Sequence, residues 1–510
     1  MPKLSLAGCS RFLWALVLAT LPVTSFKYMP FMGSGTFVRP LSLYPLFFLY
    51  PLLFLRLKRK EIARPWPGPL ILLIAFFLSA VAATAFGATL APIAMRDVGF
   101  LDRAIRAFVT LVIGASFFIA AIWMNQDEAD LKFSVKWLMV GLTAHLAWGA
   151  VQFIGLNAGY RKQLFQIQNL FSVRGLVKNK RISGFAYEPS WLAGQLATLY
   201  LPWLFSAVLT QYRLFASPHK KGLAFLAKLY PFIEPVLFIA ALAGLLMTYS
   251  RSGLLITFVA VVVTLMASGK TALLKVWEWM RSGFDFSGGN HPPAKLWQAG
   301  IRVLLVLSIL MAVLGAGFFL ADKGYIAVFF NSDSTDVYDY FQNVYLGPRL
   351  AYAFAALKTF EIHPFTGVGL GASGFYIYDN MPDWALSGEP EIARQMSPTS
   401  DLYPNPKNLY VRLLTETGIT GLALFLALYL ALLADIFSLS THGLPTSSDA
   451  NPSNAGKWLA AAGLFALTSI ILQGISQDSF AMPEMWINLG ILSGVANAFK
   501  TTFFSTKESL

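Results

Sequence analysis

Pro69-Leu-Ile-Leu-Leu-Ile-Ala-Phe-Phe-Leu-Ser-Ala-Val-Ala-Ala-Thr-Ala-Phe-Gly-Ala-Thr-Leu90 carries no charged side chain from end to end. About 20 such residues, wound as a helix, cross the hydrocarbon of a bilayer, so the stretch reads as a membrane span. Working outward, similar apolar segments occur at about 12–26, 41–55, 104–124, 138–156, 191–209, 231–249, 253–267, 301–320, 419–438, 458–475 and 486–498. With 68–91 they make about twelve. The first, second, eighth and last are short and read as tilted, broken or partly re-entrant.

Composition agrees with an all-α membrane protein. A 510-residue chain that is 56% hydrophobic and 13% charged cannot hide its apolar surface in one soluble core. The net charge of +13 would point to nucleic acid in a soluble protein. Here much of it falls in loops beside spans, where anionic headgroups and insertion bias account for it, and nucleic acid is not expected as a partner. The single cysteine, Cys9, excludes an internal disulfide and a cysteine metal cage. Met1 to Arg11 followed by Phe12 to Phe26 has the basic and apolar parts of a signal peptide without a small-residue cleavage site, and reads as a retained first span. Leu6-Ala-Gly-Cys9 resembles a lipoprotein box in the wrong order, ahead of the apolar run, and is a chance match.

Short loops orient the chain. Arg56-Leu-Lys-Arg-Lys60 with Arg64, then Arg213, Lys220, Lys221 and Lys228, then Lys270, Lys275, Arg281, Lys295 and Arg302 alternate onto one side, which with both termini is expected to be cytoplasmic. The loop 157–190, the turn 249–252, the segment 321–418 and the loop 476–485 then fall outside, in the periplasm of a bacterial inner membrane. The loop 157–190 is nevertheless basic, with Arg161, Lys162, Arg174, Lys178, Lys180 and Arg181. Contact with anionic headgroups and capture of a lipid-borne phosphate both explain it. Pro, Gly, Ser and Asn cluster at 284–293 and 441–456 as flexible connections. Gly269-Lys-Thr271 lacks the earlier glycine of a phosphate loop and ends a span, so nucleotide hydrolysis is set aside.

The residues able to carry chemistry lie on the outer side. Glu188-Pro189 opens a helix, Pro at the first helical position and the carboxylate by the positive helix end. Glu188 is therefore a helix cap or a general base at the water–lipid boundary. Arg251, in Thr248-Tyr-Ser-Arg-Ser-Gly253, snorkels to headgroups or finds an anionic partner. Asp333, Asp336 and Asp339 stand among Tyr338, Tyr340, Phe341 and Tyr345, where an aromatic belt or lid core is the main reading and sugar stacking the other. Asp333-Ser-Thr-Asp336 lacks the spacing of a cation loop, so no metal is expected. A helix is predicted from Arg349 to about Glu361, and His363-Pro at its end reads as a C-terminal cap.

Three patches together resemble the O-antigen ligase and polymerase superfamily, bacterial membrane enzymes that transfer glycans from undecaprenyl pyrophosphate. They are Arg181-x-x-Gly184 with Glu188-Pro-Ser and Ala193, then Ser250-Arg-Ser-Gly253, then Arg349 leading to His363-Pro-x-x-Gly-Val-Gly369. Asn408, Glu416 and Gly418-Ile-Thr-Gly421 are similar to the family's last outer signature, and the likeness covers about 180–425. It implies a GT-C-like helical glycosyltransferase with N-terminal spans 1–320, a site-forming outer segment 321–418 and C-terminal spans 419–510. Implied roles are donor pyrophosphate binding by Arg181, Arg251 and Arg349, with Glu188 as base and Ser250, His363, Lys407, Asn408 and Glu416 in support, and neither metal nor cofactor. The implied partners are an undecaprenyl-pyrophosphate-linked glycan donor, a glycan acceptor, the bilayer and a chain-length regulator. Ligases of this family carry histidine just before that asparagine, whereas this chain has Lys407. Polymerisation of O-antigen, capsule or exopolysaccharide repeats is therefore expected ahead of ligation to a lipid core. A lipid-oligosaccharide flippase is the alternative of another class, though transporters place their charges at the midplane rather than at one face.

Overall fold

The computed structural model describes residues 5–29, 37–62, 65–174, 180–215, 230–268, 347–388, 390–397, 399–400, 402–442 and 452–508. The expected span 301–320 and the Asp333, Asp336 and Asp339 group lie outside them. The described residues form α1 Leu6–Thr20, α2 Leu43–Lys58, α3 Gly68–Thr89, α4 Phe100–Met124, α5 Glu128–Asn157, α6 Arg161–Phe171, α7 Pro189–Gln195, α8 Leu201–Thr210, α9 Ile233–Met247, α10 Arg251–Ser268, α11 Gly347–Ile362, α12 Pro390–Met396, α13 Leu409–His442, α14 Pro452–Gln473 and α15 Ile487–Glu508. Isolated bridges such as Ser25 with Arg39 are the only β pairings among the described residues.

Seven described helical stretches are long and apolar enough to cross a membrane, and α1 and α9 are shorter apolar helices. The chain is a multi-pass helical membrane protein. Apolar side chains such as Phe47, Leu78, Phe258 and Leu430 are exposed on its flanks, as expected where the solvent is lipid. The first span starts earlier than its hydropathy suggests, because the Ser5 hydroxyl accepts from Gly8 N at 3.0 Å and caps α1. Cys9 therefore sits inside a helix.

Two of the described helices are deformed, each for an identifiable reason. Between α7 and α8, Leu196–Tyr200 widens into a π-helical turn. Pro202 has no N–H to give the Thr198 carbonyl. Asn488 Nδ2 supplies the missing donor, at 2.7 Å from Thr198 O and 3.2 Å from Leu199 O. In α13 the helix breaks at Gly418, with φ 67° and ψ −173°. The carbonyls freed there accept from a neighbouring loop, Val368 N to Thr415 O and Gly369 N to Glu416 O, both 2.9 Å, while Ile419 N donates to Pro364 O at 2.8 Å. The His363-Pro-Phe-Thr-Gly-Val-Gly motif is thus a backbone clasp on α13.

Helix ends sort onto two faces. One face carries the start of α1 beside that of α5 (Arg11 to Asp130), the end of α2 beside that of α4 (Arg56 to Met124), and the end of α8 beside the starts of α5 and α9 (Tyr212 to Glu128, Arg213 to Glu234). The other carries the ends of α3, α5, α9 and α14 and the starts of α4, α7, α10 and α13, together with the clasp.

Candidate active site

The approach to the site is built by backbone recognition. Gln152 of α5 accepts from Ser183 N at 3.0 Å and Gly184 N at 2.8 Å through Oε1, and its Nε2 donates to Gly184 O at 3.0 Å. His145 Nδ1 accepts from Phe185 N at 3.0 Å, and the Thr24 hydroxyl accepts from Tyr187 N at 2.9 Å. Gly184 sits at φ 55°, and a Cβ there would fall 2.7 Å from the His145 ring, so the glycine of Arg181-x-x-Gly184 is required for backbone shape and close approach. The loop delivers Glu188 to the position just before α7, whose first residue is Pro189.

Glu188 does not cap that helix with its side chain. Its Oε2 takes the Arg174 guanidinium at 2.8 Å, and its Oε1 accepts from the Ser190 hydroxyl. Arg174 also lies over the Tyr187 ring, 4.8 Å from its centre. The basic loop therefore has a specific partner within the protein.

The turn between α9 and α10 is the tight hairpin the sequence predicts. Tyr249 holds φ 49°, Ser250 Oγ accepts from Gly253 N at 3.3 Å, and Gly253 packs so closely on Ala193 that a Cβ would approach it to 2.6 Å. Arg181 Nε donates to Thr248 O at 2.7 Å, which ties the first arginine motif to the second.

These elements enclose a cavity of about 240 Å³ lined by Glu188 ahead of α7, Ser190, Trp191, Gly194, Ser252, Gly253 and Ile256 from α7 and α10, Arg349 from α11, Asn405 and Lys407 ahead of α13, Gln473 at the end of α14, and Ser476, Gln477 and Asp478 beyond it. Of the residues singled out by sequence, Glu188, Arg349 and Lys407 meet on this wall. Arg181 and Arg251 are not among its lining residues: Arg251 directly precedes Ser252 and Gly253, which do line it, Arg181 is tied to the same turn at Thr248, and Ser250 caps that turn.

Lys407 is held at φ 54°, a conformation that costs a non-glycine residue energy and persists only where its surroundings impose it. Its ammonium meets Glu391 of α12 at 3.1 Å and lies 4.6 Å from the centre of the Tyr352 ring. Burial pushes the Glu391 carboxyl up, but the Lys407 charge and hydrogen bond, a Gln395 hydrogen bond and the Arg349 charge outweigh it and hold it below its ordinary value. Asn408 caps α13, its Oδ1 accepting from Tyr410 N at 3.0 Å and Val411 N at 3.1 Å. Glu416 is buried, bound by Arg412 Nε at 2.9 Å and Ser373 Oγ at 2.8 Å. Arg412 reaches on to the Asp478 carbonyl at 2.6 Å, so Glu416 supports the wall from behind. His363 ends α11, its N–H donating to Phe360 O at 3.1 Å and its ring against Phe86; it does not line the cavity.

Sequence reading misses Trp191, Asn405, Gln473, Gln477 and Asp478. Trp191 carried a usable signal, since it follows Glu188 by one helical turn and must share its face. Asp478 is an acid in the short loop after α14. Burial raises its carboxyl, Arg412 opposes this and Glu416 adds to it.

The sequence profile of the O-antigen ligase family matches residues 236–426. That stretch belongs to the O-antigen ligase and polymerase superfamily, and it runs from within α9 to beyond the break in α13. No curated protein matches the chain.

Proposed function

We propose that this protein is a membrane glycosyltransferase that joins undecaprenyl-pyrophosphate-linked oligosaccharide repeats on the periplasmic side of a bacterial inner membrane, with its termini in the cytoplasm. The observation that carries the reading is the meeting of Glu188, Arg349 and Lys407 with the Ser252-Gly253 turn on one polar cavity at one end of a helix bundle. Cations and a carboxylate together suit transfer from a diphosphate.

An acceptor hydroxyl attacks the anomeric carbon of the donor glycan. The bond from that carbon to the pyrophosphate oxygen breaks, and its electron pair leaves with the lipid pyrophosphate. Arg349, with Arg251 on the adjoining turn and Arg181 tied to that turn, stabilises the charge that develops there. Glu188 takes the proton of the attacking hydroxyl, Arg174 passing from it to the incoming diphosphate as the donor binds. The sugar arrives already activated, so the scheme calls for no nucleotide, metal or cofactor. A chain-length regulator is a natural partner of such an enzyme.

Lys407, standing where related ligases have histidine, favours polymerisation over ligation. Purified protein incubated with a lipid-linked repeat and no nucleotide sugar should yield a ladder of longer glycans. A single transfer to an added lipid core would instead establish a ligase, and movement across vesicles without transfer a flippase. Arg349→Lys should restore little of what Arg349→Ala loses, because a point charge does not reproduce a bidentate fork.

A further inference from the structure

The cavity wall divides by chemistry. Arg349 and Lys407 supply its cations, and Trp191, Asn405, Gln473, Ser476, Gln477 and Asp478 supply an aromatic ring, amides, a hydroxyl and a carboxylate. Carboxamides both donate and accept hydrogen bonds, as sugar hydroxyls do, whereas a fully ionised diphosphate only accepts. The carboxylate and amide oxygens of this second group repel an anion and match hydroxyl donors.

Three details show that these residues are built into the wall. Gln473 is packed against the bare Cα of Gly194, where a Cβ would stand 2.7 Å from its Nε2, and its Oε1 is buried with no partner. The protein leaves that acceptor unused, and a hydroxyl donor would satisfy it. Asp478 is fixed from behind, its carbonyl held by Arg412 and its Oδ2 accepting from Lys407 N at 3.2 Å. Trp191 packs on Tyr187 with ring centres 5.0 Å apart, which steadies it as an apolar platform for the C–H face of a ring.

We propose that Trp191, Asn405, Gln473, Gln477 and Asp478 form the seat of a hydroxyl-bearing sugar ring beside the reacting bond, and so set which glycan the enzyme accepts. The seat rests on the transferase reading above, since the ring it holds belongs to one of the two glycans that react. The ring is the terminal sugar of the acceptor or the transferred sugar of the donor, which share the same hydroxyl chemistry.

The test uses full-length protein in lipid nanodiscs and two probes, undecaprenyl pyrophosphate and the free oligosaccharide released from the lipid-linked repeat by mild acid. Gln473→Leu and Gln477→Ala should each weaken oligosaccharide binding about tenfold or more while leaving undecaprenyl pyrophosphate binding unchanged, and Arg349→Ala should do the reverse. Retained lipid binding shows that the variants are folded. Unchanged oligosaccharide affinity in both glutamine variants, a parallel loss of both probes, or no oligosaccharide binding by the wild type overturns the seat. If the wild type binds the oligosaccharide through these glutamines but neither binds undecaprenyl pyrophosphate nor transfers from the lipid-linked repeat, the transferase reading fails and the seat stands. Elongation of the free oligosaccharide assigns the seat to the acceptor; inhibition without elongation assigns it to the donor.

Discussion

Arg174 Nη1 lies 2.8 Å from Glu188 Oε2, and the two side chains remain 40% and 31% exposed. A pair this open to solvent contributes no more than about 1 kcal/mol to stability, so its significance is geometric. It holds a cation from the basic loop 157–190 at the edge of the cavity and keeps the Glu188 carboxylate neutralised until something displaces the guanidinium.

Glu188→Gln should therefore fold as the wild type and lose transfer by roughly 10²–10⁴-fold, the usual contribution of a positioned base. Arg174→Gln should fold equally well but raise the KM for the lipid-linked donor more than it lowers kcat. Steady-state kinetics with thermal unfolding as control checks both. Wild-type turnover in the Glu188 variant would remove it from the mechanism.

Gly253→Ala puts a methyl group 2.6 Å from the Ala193 Cβ. Overpacking of this kind typically costs about 1–3 kcal/mol, and here relief requires that α7 and α10 part at the cavity. Loss of activity should exceed loss of stability, because the displaced ends carry Glu188 and Ser252. Ala193→Gly in the same chain should recover most of the activity, and its failure to do so would show that the contact does not set the site.

The membrane class, and most spans with it, was legible because long uncharged runs have one structural outcome. The tight turn at 249–252 and the helix opened by Pro189 were also legible, since local backbone chemistry decides them. The roles of the quoted glycines and of His363 were less so: Gly367, Gly369 and Gly418 serve a clasp whose hydrogen bonds join residues about fifty apart in sequence. The carboxamide wall was not legible at all. Gln473 ends an apolar helix and Gln477 follows it in the next turn, without any charge motif, and the packing of α14 against Gly194 brings Gln473 to the cavity.

Gly418→Ala tests the clasp. At φ 67° a Cβ would meet the Phe365 carbonyl oxygen at 2.2 Å, which is backbone and cannot rotate away. The left-handed conformation alone costs a non-glycine residue on the order of 1–3 kcal/mol, and the collision adds to it. The variant should lose the hydrogen bonds from Val368, Gly369 and Ile419 together, seen as faster amide exchange at those three positions. Exchange rates matching the wild type would mean that the clasp tolerates a side chain.

The contact between Lys407 and Glu391 ties α12 to the rim of the cavity and should respond to acid. Burial alone would raise the Glu391 carboxyl, but Lys407, Gln395 and Arg349 hold it below its ordinary value of 4.5. A carboxyl lowered on folding adds stability that is complete above its unfolded value and disappears as pH falls through its folded one. The docking of α12 should thus be intact at pH 6 and weaken below about pH 4.5, the unfolded value. Amide exchange over 390–396, corrected for the intrinsic rate, should show this loss of protection on acidification. In Glu391→Gln the profile should be flat, and in Lys407→Met it should move to higher pH as the carboxyl loses its cation. Since the Glu391 side chain is 47% exposed, the change should be worth no more than about 1 kcal/mol, a several-fold difference in exchange. A wild-type profile as flat as that of Glu391→Gln would mean that α12 is held by its apolar contacts, Ile392 and Met396, and that the ion pair does not govern access to the cavity.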